Sequence, residues 1–387
     1  MGERLDRLEA FIQTKMAATN LPGLSAAVLV DGEVVYRRGF GYRDLEAGLP
    51  ATPSTLYGIG SVSKSFTCAA IMQLVEQGRL RVDDEVDRYL DLGIRPFGEP
   101  IRIWHLMTHT SGLPALAYAE AVIRRGTGAS RRQLPIATVD DLLTFMRGAE
   151  DWVESRPGER WFYLNEGYVL LGAIVEQVSG QPYTEYVREH ILEPLGMERS
   201  YFSRAEVEQD ADAATPYVID REGRCLPRSY QFGKITADGG LISNVEDMAR
   251  YIAMYLGEGR LGEAQVLSVA SVREMLTPRV ATPPLRARAF SGGAADAADG
   301  VSGADHPRLY GYGLGVTPDF FGYTLVGHGG SVLIATAHMA FIPERNLGVM
   351  LLANGSGYPL SQLAEYALAL LLDEDPDQLP FRRVEVL

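Results

Sequence analysis

Gly60-Ser61-Val62-Ser63-Lys64-Ser65-Phe66-Thr67-Cys68-Ala69-Ala70-Ile71-Met72-Gln73-Leu74-Val75-Glu76-Gln77 is the stretch on which the reading turns. From Ser61 to Gln77 it has helical patterning, so Ser61 stands at a helix start. Free N–H groups and the helix dipole favour a developing negative charge there. Lys64, three residues on, shares a helix face with Ser61, with Cβ atoms roughly 5–6 Å apart. A neutral lysine amine can take a serine proton. Its reference pKa of roughly 10.4 means that it must be desolvated or placed near other cations to do so. The chain uses arginine almost everywhere and has only three lysines, Lys15, Lys64 and Lys234. Arginine keeps its proton near neutral pH, so lysine at 64 is a chemically distinct choice. A Ser-x-x-Lys spacing also arises by chance, and the rest of the chain decides its meaning.

Upstream, Leu5, Leu8, Phe11, Ile12, Lys15 and Met16 fall at helical spacing and predict an opening helix. Leu24 to Val30 and Glu33 to Arg38 flank Asp31-Gly32, a strong hairpin signal. Downstream, Tyr168 to Val178 and Tyr183 to Leu195 read as helices. Asn244 or Ser243 caps another that begins Val245-Glu-Asp-Met-Ala-Arg-Tyr-Ile252. Ala337 to Ile342 and Leu347 to Ala353 read as strands around Pro343-Glu-Arg-Asn346, and Leu360 to Leu372 as a last helix. Strands at both ends with helices between predict an α/β fold of discontinuous design. An α/β part is expected over about 1–60 and 306–387, with a mostly helical part inserted over about 61–305.

The 387 residues are 46 % hydrophobic and 22 % charged, which is an ordinary globular composition able to bury a core without disulfide or metal staples. A net charge of −14 argues against nucleic acid as a partner. Two cysteines, Cys68 and Cys225, make no disulfide framework. No stretch approaches the ~18–20 apolar residues of a membrane span. The opening Met-Gly-Glu-Arg-Leu-Asp-Arg is not a secretory signal, so the expectation is a cytoplasmic protein if residue 1 is the native start.

Two further segments give Ser61 and Lys64 a context. Tyr163-Leu164-Asn165 is a Tyr-x-Asn set within Pro157 to Glu176, and His328-Gly329-Gly330-Ser331 lies in the strand-rich C-terminal stretch. In this order the three signals resemble the serine β-lactamase and penicillin-binding-protein superfamily, whose motifs include Ser-x-x-Lys and Lys-Thr-Gly. The likeness is nearest to class C β-lactamases, family VIII esterases and related D-peptidases. It extends to Leu106-Met-Thr-His-Thr-Ser-Gly-Leu-Pro114, Gly239-Gly-Leu-Ile-Ser243, Tyr310-Gly-Tyr-Gly-Leu-Gly315 and Ala340 to Gly348, and spans roughly residues 5 to 372.

The resemblance implies a β-lactamase/transpeptidase-like fold, with an antiparallel sheet flanked by helices plus an inserted mostly helical domain. It implies Ser61 as acylated nucleophile, Lys64 as base or proton relay, Tyr163 as second proton carrier, and Asn165 as the amide that orients Lys64 and substrate. The backbone N–H groups of Ser61 and Ser331 match an oxyanion hole, each donor worth on the order of 3 kcal/mol. His328, with Gly329 and Gly330, stands where many members have Lys-Thr-Gly. Histidine is a weaker, pH-dependent cation than lysine. The substitution looks like esterases and certain D-aminopeptidases, and argues against efficient β-lactam hydrolysis. The expected substrate is a small ester, amide or peptide, with no cofactor. The competing readings are a β-lactamase or D-stereospecific peptidase, a sensor that is acylated once without turnover, and a metal hydrolase.

Other residues read as structural. His105 and His109 are spaced i, i+4, but the glutamate of a His-Glu-x-x-His zinc site is absent, so no metal is expected. Cys68 reads as buried packing, and Trp161 and Phe162 as core or as a wall of the acyl pocket. Lys234 reads as surface. The sequon at Asn354-Gly-Ser356 is discounted for want of a secretory signal. The Ala287 to Asp305 stretch, rich in Ala, Gly and Asp, reads as a surface loop or a lid over the site. The C-terminal residues from Asp373 read as an exposed tail or linker.

Overall fold

The computed structural model describes residues 1–116, 136–230, 236–283, 308–332, 334–355 and 360–379. The Ala287 to Asp305 loop, Lys234 and the end of the tail lie outside the described residues.

Hairpin signals near both ends of the chain lead into one sheet. Its strands are β1 (Gly23–Val30), β2 (Glu33–Asp44), β3 (Leu49–Pro50), β4 (Val280–Ala281), β5 (Leu309–Tyr310), β6 (Gly315–Phe320), β7 (Tyr323–Ser331), β8 (Thr336–Ile342) and β9 (Leu347–Ala353). They lie in the order β4-β5-β6-β7-β8-β9-β1-β2-β3, and each neighbouring pair is antiparallel. Asp31-Gly32 makes the tight turn between β1 and β2, as their sequence demands. The seam between the chain's two ends is the β1–β9 pair, with Leu24 opposite Ala353 and Val30 opposite Leu347. β4 joins this sheet from within the span read as helical.

Five helices matter for the site: α1 (Gly2–Thr19), α2 (Ser63–Glu76), α3 (Asn165–Ser179), α4 (Val245–Leu256) and α5 (Leu360–Leu371). Both faces of the central strands are covered, so β9 is buried at every residue and reads as an unbroken apolar run. Leu24, Ala26 and Val28 of β1 and Val349 and Leu351 of β9 pack with Leu8 and Ile12 of α1 and Leu363 and Leu368 of α5. Ala27, Leu29, Met350 and Leu352 face the opposite way, into the larger core shared with α2, α3 and α4. Each fully buried aliphatic side chain stabilises the fold by about 1.5–3 kcal/mol.

Asn244 caps α4: its side chain accepts from the N–H groups of Glu246 and Asp247. The helix read over Tyr183 to Leu195 is interrupted, with an α-helical turn over Tyr183–Val187 continuing as a π-helical turn over Arg188–Leu192. The extra residue in a π turn shifts the buried face, and Tyr186, Ile191 and Leu192 all remain inside. Asn354 is fully buried, and its side-chain amide donates to the carbonyls of Tyr42, Arg43 and Thr215, so it ties β2 to the sheet. Among the described residues no helix is long and apolar enough to cross a membrane.

α5 carries one carboxyl group into the interior. Glu365 is buried, with an Arg308 nitrogen 3.7 Å from its Oε1. Burial outweighs that guanidinium and pushes the carboxyl up to about 8 from the usual 4.5. Between those values the native state holds a proton that the unfolded chain has released. Its contribution to stability is therefore fully present below the unfolded value and is lost as pH rises through about 8. Glu365→Gln should flatten this part of the profile. Urea unfolding at about pH 5 and about pH 9 should show a smaller loss for the variant than for the parent, and an equal loss would return the carboxyl to its ordinary range.

Candidate active site

Ser61 lies in a single 3-10 turn, Gly60–Val62, that leads into α2. The helix therefore begins two residues later than its pattern suggests. A two-stranded pair, Tyr57–Gly58 with Ile242–Ser243, delivers the chain to this turn, and the Ile59 N–H donates to the Leu241 carbonyl at 3.0 Å. Gly60 has φ +52°. A Cβ on Gly330 would sit 1.9 Å from the Ile59 carbonyl oxygen, and one on Gly60 would sit 2.8 Å from the Ser331 nitrogen. Only bare backbone fits on either side. This close approach sets Ser61 against the end of β7 and brings the Ser61 and Ser331 backbones together.

Lys64 lies in the first turn of α2 and is fully buried. Its Nζ is 3.1 Å from Ser61 Oγ, 2.7 Å from Asn165 Oδ1 and 2.6 Å from the Asp238 carbonyl oxygen. Asn165 is the first residue of α3, and its preceding residue, Leu164, is in extended conformation. The Tyr163 and Tyr168 rings lie 4.9 and 5.4 Å from Nζ, presenting their faces to the amine. Ser61, Lys64, Tyr163 and Asn165 thus converge from two helices and the loop between.

The Asn165 and Asp238 oxygens can only accept. A neutral amine has two N–H bonds for them and a lone pair left for the Ser61 hydroxyl; an ammonium donates to all three. Proton movement between Oγ and Nζ therefore keeps both flanking bonds and needs no rearrangement of the shell.

His328 lies on β7 and is buried. Its Nδ1 is 2.6 Å from the Gly329 carbonyl, and its Nε2 is 2.9 Å from the Tyr310 hydroxyl. A carbonyl only accepts, so Nδ1 carries the hydrogen. In the neutral ring Nε2 then accepts from Tyr310 O–H. Tyr310 belongs to a stretch quoted above for its family likeness alone, and sequence gave no reason to pair it with His328. A cavity of about 70 Å³ beside His328 is walled by Trp161, Tyr163 and Tyr310 and reaches Arg308 and Glu365.

The remaining expectations can be placed. Cys68 is buried, and burial pushes its thiol up to about 12, so it packs as a thiol. Tyr168 donates to the Met107 carbonyl at 2.7 Å, and burial raises its phenol well above the ordinary value. His105 and His109 hold separate backbone bonds. The Arg102 N–H donates to His105 Nδ1 at 2.9 Å, and the Leu164 N–H donates to His109 Nδ1 at 3.0 Å. Burial, with Arg102 nearby, lowers the His105 imidazole to about 4. Among the described residues no group of three His, Cys, Asp or Glu side chains is placed to hold a metal ion.

The chain and its fold match known proteins. The family described as Beta-lactamase matches residues 8–373. The penicillin-binding protein homologue from Pyrococcus abyssi, described as octameric, superposes with a TM-score of 0.88 at 47 % identity, covering 97 % of this chain and 79 % of that one. A penicillin-binding protein from Bacillus halodurans superposes with a TM-score of 0.72 at 27 % identity, covering 93 % and 98 %. Protein flp of Staphylococcus aureus is 28 % identical over 65 % of this chain and 48 % of its own length, so the chain spans about half the length of that relative. The chain belongs to the Beta-lactamase family and has the β-lactamase/transpeptidase-like fold, a large antiparallel sheet with helices.

Gly330→Ala tests the close approach. The added methyl must push residues 59–61 off β7, so labelling of Ser61 by a fluorophosphonate should slow by on the order of 10²-fold. Labelling at the parent rate would show that the two backbones are less tightly coupled than their spacing implies.

Proposed function

We propose that the protein is a serine hydrolase that forms an acyl-enzyme on Ser61 and cleaves small esters or amide and peptide bonds. The observation that carries this reading is that Lys64 Nζ lies against one hydroxyl that can give a proton and two oxygens that only accept. Lys64 takes the proton as Ser61 Oγ bonds to the substrate carbonyl carbon. The carbonyl electrons move to oxygen, facing the Ser61 and Ser331 N–H groups. On collapse the carbon–oxygen or carbon–nitrogen bond breaks, and the departing group takes a proton from Tyr163, which Lys64 restores. Water then attacks the ester carbonyl, its proton passing to the same pair and from there to Ser61 Oγ as the carbon–Oγ bond breaks, which restores the serine hydroxyl.

His328 supports ester or amide cleavage over β-lactam hydrolysis. Both its ring nitrogens are engaged within the protein, and neither supplies a permanent charge for a substrate carboxylate. A D-residue peptide remains a substrate of the same chemistry, in keeping with the family likeness. A sensor that stays acylated differs only in lacking turnover, and a steady phase after the first burst of p-nitrophenolate release separates the two.

Two variants test the assignment. Ser61→Ala should abolish the covalent adduct seen by intact mass, and an adduct on that protein would rule Ser61 out. Lys64→Arg should be nearly as inactive as Lys64→Ala, both on the order of 10²–10⁴-fold down, because arginine keeps the charge without acting as a base. Substantial activity in the arginine variant would reduce Lys64 to an electrostatic support. For specificity, kcat/KM for a short-chain p-nitrophenyl ester should exceed that for a chromogenic cephalosporin. The reverse ratio would make the protein a β-lactamase.

A further inference from the structure

Tyr163 sits on a loop, yet its phenol must meet the reacting groups within a few tenths of an ångström. A second backbone segment templates that loop. The Phe162 N–H donates to the His109 carbonyl at 2.8 Å, and the Leu164 N–H donates to His109 Nδ1 at 3.0 Å. The residues on either side of Tyr163 are thus both anchored to one histidine. The run continues with the Gly158 N–H on the Thr110 carbonyl at 2.7 Å and the Glu154 N–H on the Gly112 carbonyl at 2.9 Å.

The histidine ring also lies against the tyrosine ring, with centroids 4.2 Å apart and planes 32° apart. On its other sides it meets Trp161, Tyr168 and Tyr310. His109 is 1 % exposed and has φ +59°, a left-handed backbone that is uncommon for a non-glycine residue. That conformation turns its carbonyl and its ring toward the same loop. Nδ1 accepts a backbone N–H, so the ring there is the tautomer with hydrogen on Nε2.

We infer that His109 is a positioning residue for Tyr163, holding the phenol where it delivers a proton to the departing group. The inference rests on the acyl-transfer reading above. It predicts a loss that depends on what departs. Ethoxide must be protonated as it leaves, whereas p-nitrophenolate leaves as the anion. Displacing Tyr163 therefore slows the first and spares the second.

The substitutions separate the backbone from the acceptor. His109→Gly keeps the left-handed φ and loses Nδ1. His109→Asn keeps a residue tolerant of that φ, with an amide oxygen the same number of bonds from Cα as Nδ1. The measurement is kcat/KM for ethyl butyrate and p-nitrophenyl butyrate, which share an acyl group. His109→Gly should lose about 10²-fold on the ethyl ester and less than about 5-fold on the p-nitrophenyl ester, the span expected for one general-acid contact. His109→Asn should recover most of the ethyl ester rate.

In a Tyr163→Phe background the glycine variant should cost less than about twofold more, because both changes remove the same proton delivery. Ser61 labelling by a fluorophosphonate, whose fluoride needs no proton, reports an intact site. Should the glycine variant not fold, His109→Gln, with its acceptor one bond farther out, should show the same leaving-group-dependent loss. Equal losses on the two esters, or an asparagine variant as impaired as glycine, would overturn the positioning role. A parent protein that neither labels at Ser61 nor cleaves either ester would instead overturn the hydrolase reading itself.

Discussion

The contact between Ile59-Gly60-Ser61 and Gly330-Ser331 is the constraint on which the rest of the site depends. It joins the entrance to the main helix to the end of a strand at the heart of the sheet, with no side chain between. Everything else follows from that fixed point. α2 must leave the sheet at Ser63, so Lys64 points into the core beside Ser61. α3 must bring Asn165 to the same amine. Ser331 and Ser61 must end with their backbones together. Close packing of two backbones tolerates no slack, because an atom added at either glycine meets main chain that cannot rotate away.

A fully buried lysine is costly unless its hydrogens are met by acceptors. Here an amide oxygen and a peptide carbonyl meet two of them, and neither titrates. Carboxylates in their place would form an ion pair and hold the proton on lysine. Neutral acceptors satisfy the amine while leaving it able to exchange a proton with the hydroxyl opposite. The rings of Tyr163 and Tyr168 present their faces to the same amine. The interior carboxyl of Glu365 instead answers burial by keeping its proton.

Much of this was readable from residue types and spacing. The Asp31-Gly32 hairpin, the Asn244 cap and the apolar run of β9 are local signals, and local signals survive folding. Ser61, Lys64, Tyr163 and Asn165 could be read as one candidate set because their spacing, at the entrances to α2 and α3, matches a known pattern. The parts that escaped depend on long-range geometry. Tyr310 reaches His328 across the sheet, and no periodicity relates them. His109 acts through its own carbonyl and a left-handed backbone, which its side-chain type does not announce. The interruption between Tyr183 and Leu192 also escaped, because one inserted residue in a π turn leaves the apolar pattern almost intact.

The order of strands has a consequence for how the molecule is made. β1 emerges from the ribosome long before its partner β9, with Leu24 waiting for Ala353. Until then the N-terminal hairpin has one edge unpaired and its apolar faces uncovered, a state prone to wrong association. β7, which supplies Gly330 and Ser331, also arrives late, so Ser61 gains its final surroundings only after most of the chain exists. A nascent chain stopped before β7 holds the serine and the lysine in order at the entrance to α2 yet lacks the strand that completes the site. The candidate site in this fold is thus completed late in synthesis as a consequence of strand order alone.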